Sequence, residues 1–309
     1  MEPRPGVSGL AMRVFLAGAT GFIGGHTLRA LLARGHEVTC LVRPGSPSLP
    51  ATERLSGVRG EWTQPDSWSG AVAGHNAVVN TAGIIRERRG ASFAAVHTRA
   101  AIALFDHAAQ TGVEKIVQLS ALGADAGAES AFHLSKRAAD EHLQRSGAPY
   151  VVLRPSFVYG EGDRSMSFFA RLAAFPITPV PGDGRDLVQP LHVADLARGI
   201  VLSVERPEIC DATFDVGGST TLTFDALLDT LARRRRGRNA RKLHIPWLLM
   251  GAAARSTDLF GGRGPITRDE LSMLRRGNHC DNSAFVRAFG FEPRAFDPGG
   301  NDRLSGRRD

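Results

Sequence analysis

Hydrophobic positions in this chain come in short runs that alternate with helix-spaced ones. Met12 to Ala17 is an apolar run of strand length, after which Leu28, Leu31 and Leu32 share one helical face between His26 and Arg34 and stop at Gly35. The rhythm repeats along the first half. Glu37–Arg43, Val58–Trp62, Ala77–Thr81, Lys115–Ser120 and Tyr150–Arg154 read as strands. Phe93–Thr111 and a stretch from about Ser130 to Gln144 read as helices. Alternation of this kind predicts an α/β fold, a doubly wound parallel sheet with right-handed crossovers.

After Pro155 the rhythm breaks. Phe175–Gly184 is rich in proline and glycine and excludes long elements. Leu187–Val193 reads as a strand and Ala194–Glu205 as a helix, followed by a strand at Thr213–Val216. Helices are expected near Phe224–Arg235, Pro246–Arg255 and Arg268–Arg275, the last with Thr267 as N-cap and Glu270 completing a capping box. The expected organisation is a loose arm over residues 1–11, a nucleotide-binding domain over 12–155 and 187–206, and a small C-terminal α+β lobe built from 156–186 and 207–309.

Composition narrows the class. Of 309 residues 42% are apolar, an ordinary globular share, and no run approaches the ~18 apolar residues of a membrane span. Cys40, Cys210 and Cys280 are odd in number and far apart, so neither a disulfide framework nor a metal-ligand spacing follows. That favours a reducing compartment: the cytoplasm, or the mitochondrial matrix in a eukaryote. The net charge of +7 is concentrated in Arg233–Lys242. The run is either a solvated helix end, whose cations suit the negative pole of the helix, or a surface for anionic lipid or an acidic partner. No aromatic platform accompanies it, so nucleic acid is not expected. The apolar stretch 245–254 is either a packed lobe helix or a surface that touches a membrane or partner.

The candidate chemistry starts at Gly18-Ala-Thr-Gly-Phe-Ile-Gly24, directly between the first strand and the first helix. Gly18 permits the tight turn, Gly21 lets backbone approach a pyrophosphate, and Gly24 allows close helix–strand packing. The helix amino terminus then offers unpaired N–H groups to phosphate. The alternative is a vestigial turn. With this loop the sheet reads as Rossmann-type. At the end of the second strand Arg43 stands where an acidic residue would bind a ribose 2′-hydroxyl. A guanidinium there suits a 2′-phosphate, so NADP(H) is favoured over NAD(H). The other reading is an exposed arginine beside Pro44.

Gly18–Gly24, Asn80-Thr-Ala-Gly83, Ser120, the Phe132/Lys136 pair and Arg154-Pro-Ser156 together resemble the short-chain dehydrogenase/reductase superfamily, in its atypical or extended branch. Thr81–Glu87, Val96-His97, Leu119–Ala124, Leu153–Gly160 and Gln189–Asp195 are similar to the group that includes the NAD(P)H-binding accessory subunit of respiratory complex I and its bacterial relatives. The resemblance implies roles. Gly18, Thr20, Gly21, Phe22, Ile23 and Gly24 would hold the pyrophosphate, and Ala82-Gly83 would pass behind the cofactor. Lys136 would bond the nicotinamide ribose, backbone from Pro155 through Ser156 to Val158 would face the carboxamide, and Ser120 would sit near the nicotinamide.

One departure stands out. Active members carry a tyrosine four residues before the lysine as proton donor, and this chain has Phe132. General acid catalysis contributes about 10²–10⁴-fold, so carbonyl reduction should be largely silenced, unless Phe132 only fills core in a site that uses another acid. Substitutes are Tyr159, which follows the Arg-Pro-Ser turn; His133, read as a partly exposed helix residue; and His97, which either orients a water or packs. These features imply a nucleotide holder, non-catalytic or weakly active, with the cofactor as structural or redox-sensing ligand and a link to complex I or quinone metabolism. The alternatives are an active NADPH-dependent reductase of a hydrophobic carbonyl or quinone-related substrate, and a nucleotide-sugar epimerase or dehydratase.

Overall fold

The computed structural model describes residues 11–46, 49, 52–88, 90–259 and 268–299. β1 (Arg13–Ala17) leads into α1 (Phe22–Ala33), and β2 (Glu37–Val42) and β3 (Leu55–Arg59) follow. After β4 (Ala77–Asn80), a π-helical stretch at Ala94–Arg99 runs on into α2 (Ala100–Gln110). β5 (Lys115–Leu119), α3 (Ala131–Arg145) and β6 (Tyr150–Pro155) continue the alternation. Next come β7 (Val158–Tyr159), α4 (Ser165–Leu172), β8 (Thr178–Pro181), β9 (Leu187–Val188), β10 (Leu191–His192), α5 (Val193–Glu205) and β11 (Ala212–Val216). β12 (Leu222–Thr223), α6 (Phe224–Arg236), β13 (Lys242–Ile245), α7 (Trp247–Leu259), α8 (Arg268–Arg275) and α9 (Ser283–Phe289) complete the described chain.

Seven strands form one parallel sheet in the order β3-β2-β1-β4-β5-β6-β11, so the direction of winding reverses between β1 and β4. Alternate residues of each strand feed opposite faces. Val14 and Leu16 join the core beneath α1 and α5, while Phe15 and Ala17 join the core beneath α2 and α3. Both faces are covered, so the strands are continuous apolar runs rather than alternating ones. A third cluster, around Tyr159, Met166, Phe224, Leu227 and Leu231, holds α4 and α6 together.

The structure differs from the sequence reading at several places. The third strand lies at Leu55–Arg59, earlier than Val58–Trp62. Trp62 lies past the strand, in the core beneath α2 and α3, where it stacks on Trp68 with centroids 5.4 Å apart and donates its indole N–H to Val96 O. The expected Leu187–Val193 strand is two: Pro190 has no N–H for a ladder, and β9 pairs antiparallel with β12 while β10 pairs parallel with β7. Ala212–Val216, expected in the lobe, is the seventh strand of the main sheet, because Phe214 and Val216 fill the space left beside β6. Phe285, Phe289 and Phe291 close the same core. The segment rich in proline and glycine holds β8, which pairs parallel with β13. Residues 1–10 of the expected arm and Thr267 lie outside the described residues.

Candidate functional site

The glycine loop makes the turn that its sequence predicts. Gly18 has φ +88°, and a Cβ there would sit 2.7 Å from the backbone of Thr81 and Ala82. A Cβ on Gly24 would sit 2.0 Å from Gly18 O, so α1 packs on β1 at a distance only glycine allows. Gly21 caps α1 with no side-chain hydrogen bond, and no acidic residue lies in the first turn. The first N–H groups of the helix, those of Phe22, Ile23 and Gly24, have no acceptor within it. Thr20 and Gly21 are exposed, and Phe22 and Ile23 are half-buried. The loop after β7 folds over this turn, with Glu161 O 2.9 Å from His26 Nε2. An anionic pyrophosphate fits this cradle: free donors, a positive helix pole, and no side chain in the way. At the β2 edge Arg43 is exposed. Arg59, paired with Val42 across β2 and β3, reaches the same turn through a 3.5 Å bond to Ser46 O. Two guanidinium groups therefore border the place where an adenosine ribose would end. Sequence reading missed Arg59, because only the strand register brings it there.

Deeper in the cleft, Lys136 is buried on α3 and donates to Leu119 O at 2.9 Å. A Cβ on Gly83 would lie 3.4 Å from its Nζ, so the ammonium borders the Ala82-Gly83 turn. Burial lowers the Lys136 pKa to about 8, an effect the nearby Asp140 charge partly offsets. An ammonium has three N–H donors, and one is used among the described residues. The rest fit ribose hydroxyls.

Asp140, one turn further along the same face of α3, went unremarked in the sequence. It is fully buried, accepts the Ser120 hydroxyl at 2.6 Å and lies 3.3 Å from Arg154 Nε. Its second oxygen, Oδ1, has no hydrogen-bond partner among the described residues. Burial pushes its pKa up to about 6 against the pull of Ser120, Arg154 and Lys136. The Ser120 hydroxyl thus donates to Asp140. The spacing of Asp140, four residues after Lys136, was the available signal.

Phe132 is buried among Phe93, His97 and His133, with ring centroids 5.3–5.8 Å away. His97 is saturated. Its Nε2 accepts from Ile84 N–H at 3.0 Å, so Nδ1 carries the proton and donates to Ser135 Oγ at 2.9 Å. Ser135 in turn donates to Phe132 O at 2.7 Å. Burial and the Lys136 charge leave the ring neutral, with its pKa lowered to about 2. His133 is buried, not partly exposed: Ser130 Oγ lies 2.9 Å from its Nδ1, and burial lowers its pKa to about 4. The helix turns it inward against the 121–124 loop, where a Cβ on Gly123 would be 3.1 Å from Nε2. Tyr159 is buried, with its pKa raised by burial, and its hydroxyl accepts from Asp297 N–H at 3.2 Å. It packs on His192 and Phe296 and borders an open cavity of about 660 Å³ that Met166 and Arg234 also line. Of the turn after β6, Pro155 ends the strand, Ser156 donates its hydroxyl to Gln189 O, and Val158 is half-buried in β7.

Among the described residues no helix is long and apolar enough to cross a membrane. A family model described as NAD(P)H-binding matches residues 18–172. The chain is 30% identical over 223 residues to the mitochondrial NADH dehydrogenase (ubiquinone) 1 alpha subcomplex subunit 9 of Mus musculus, covering 70% of this chain and 58% of that protein. It is 29% identical over 197 residues to the ceramide reductase of Caulobacter vibrioides, covering 63% and 61%. A solved nucleoside-diphosphate-sugar epimerase from Staphylococcus aureus superposes with a TM-score of 0.73 at 19% identity, over 92% of this chain and 98% of the other, which is a likeness of fold. Motif, sheet order and these likenesses agree, and the chain belongs to the NAD(P)H-binding family within the atypical or extended short-chain dehydrogenase/reductases.

Proposed function

We propose that this protein holds NADP(H) as a structural or redox-sensing ligand and carries out little or no carbonyl reduction. The carrying observation is the state of the proton donors. Phe132 has none, Ser120 donates to Asp140, His97 is neutral and bonded at both nitrogens, and Tyr159 is engaged by the 295–297 segment. When bound, the cofactor supplies a transferable hydride. The residues of this chain would position it: the Gly18–Gly24 turn at the pyrophosphate, Arg43 and Arg59 at a 2′-phosphate, and Lys136 at the nicotinamide ribose. Likeness to a complex I subunit supports a role beside a respiratory NADH dehydrogenase or in quinone metabolism. Because the chain spans less than two thirds of that relative's length, this association is part of the proposal.

A second reading, an active NADPH-dependent reductase of a hydrophobic carbonyl, draws on the likeness to a ceramide reductase and on Lys136, whose lowered pKa makes it a better acid than an ordinary lysine. The direct test of the nucleotide is thermal. A ligand present at a hundred times its dissociation constant stabilises by about 2.7 kcal/mol, a readily measured rise in melting temperature. NADPH should raise it more than NADH does, and Arg43→Ala should erase the difference. Equal shifts with both nucleotides in the unmodified protein would remove the 2′-phosphate from the proposal.

A further inference from the structure

The lobe carries an apolar surface that the nucleotide reading does not use. Leu248 is 84% exposed at the start of α7, with Leu249 beside it. Phe175 and Ile177 are 58% and 60% exposed where the chain passes from α4 to β8. Leu243 is 55% exposed on β13, the strand that leads into α7. It lies on β13 opposite Pro179 of β8, and Ile177 and Pro179, two residues apart, share that outward face. Phe168 and Arg171 extend the surface along α4 with helical spacing towards Phe175. An apolar patch of this extent on a folded chain marks an interaction surface.

Its surroundings identify the partner. Residues 164–182 and 230–254, which carry the patch, hold two and seven arginines or lysines respectively, and neither segment holds an aspartate or glutamate. Part of this charge is spent inside the molecule. Arg233 bonds Asn239 and Thr230, Arg236 bonds Ala174 O and Phe175 O, Arg234 bonds Gly299 O, and Lys242 pairs with Asp225 and Asp229. Arg171, Arg238 and Arg241 are exposed and have no partner among the described residues. Arg241 immediately precedes β13, two residues before Leu243, and Arg238 follows two residues after Arg236, which bonds Phe175 O. Leucine and phenylalanine at the centre, with exposed arginines of the same segments beside them, is the composition of an interfacial membrane anchor.

We propose that this face docks the protein on an anionic lipid bilayer, with Phe175, Ile177, Leu248 and Leu249 entering the headgroup region and Arg171, Arg238 and Arg241 meeting lipid phosphates. The docking is peripheral and is independent of cofactor binding. The long basic run is thus only in part a docking element; the apolar residues beside it supply the other half.

Flotation of the full chain with lipid vesicles tests this. Unmodified protein should float with phosphatidylcholine vesicles containing about a third phosphatidylglycerol, and not with phosphatidylcholine alone. Leu248→Ser/Leu249→Ser and, separately, Ile177→Ser should each lower the bound fraction at matched melting temperature. Arg238→Glu/Arg241→Glu should weaken binding at least about tenfold, and high salt should act in the same direction. Absence of flotation, or flotation indifferent to both lipid charge and the arginines, overturns the proposal. So does a concentration-dependent dimer that the leucine substitutions dissociate while vesicle binding is absent, since the face would then belong to a second copy of the chain.

Discussion

At the scale of single residues the site combines an apolar replacement with a charged remainder. Phe132 sits among three aromatic rings, so a tyrosine in its place would keep the packing and add one hydroxyl one helical turn from Lys136. Phe132→Tyr should raise NADPH consumption with generic carbonyls by about 10²-fold or more if the rest of the cleft is competent. Rapid turnover by the unmodified protein would instead refute the nucleotide-holder reading. Asp140 gives a second, independent test. Its pKa is raised to about 6, so between the ordinary carboxylate range and that value the folded chain binds a proton that the unfolded chain does not. The stability from that proton is complete in acid and is lost as pH rises through about 6. Asp140→Asn should therefore gain stability relative to the unmodified protein from about pH 4 to about pH 7, on the order of 2 kcal/mol, in thermal melts across that range. A pH-independent difference would mean that the carboxyl is charged throughout.

At the scale of elements, legibility followed burial. Parallel strands covered on both faces are unbroken apolar runs, and β1, β2, β4, β5 and β6 were readable for that reason. The glycine loop was readable because its spacing encodes backbone geometry: Gly18 and Gly24 stand where a Cβ would collide with chain atoms. Short elements were less so. The eight-residue α8 was read through its capping-box pattern, whereas the eight residues of α4 and seven of α9 went unread, and β8 hides among prolines. Thr213–Val216 was legible as a strand but not as part of the main sheet, since membership depends on which edge is open. The site divides in the same way. Lys136 and Phe132 follow from helical spacing. The commitment of Ser120 to Asp140, and the convergence of Arg59 on the turn after Arg43, exist only once helix and strand registers meet.

At the scale of the whole molecule, the end of the described chain ties the Rossmann-type sheet to the cavity beside Tyr159. Phe291 enters the core beneath α5 and lies 4.1 Å from the Arg198 guanidinium. Arg294 grips Asp195 at the start of α5 through its backbone N–H, Nε and Nη2 at 2.9–3.0 Å. Phe296 then packs on Tyr159, and Asp297 N–H bonds the phenolic oxygen. The arginine side chain is half exposed, so solvent screening limits its contribution to about 1 kcal/mol. Arg294→Ala should accordingly leave the global melting temperature nearly unchanged, because Phe291 and the sheet core remain. It should loosen the segment beyond residue 293 locally, raising its amide hydrogen exchange by about fivefold while exchange in β1 and β5 stays fixed. The NADPH-induced rise in melting temperature should survive, since the Gly18–Gly24 turn and Lys136 stand on elements that do not depend on this clasp. A parallel loss of nucleotide response would place the clasp, and the Tyr159 cavity beside it, within the cofactor site.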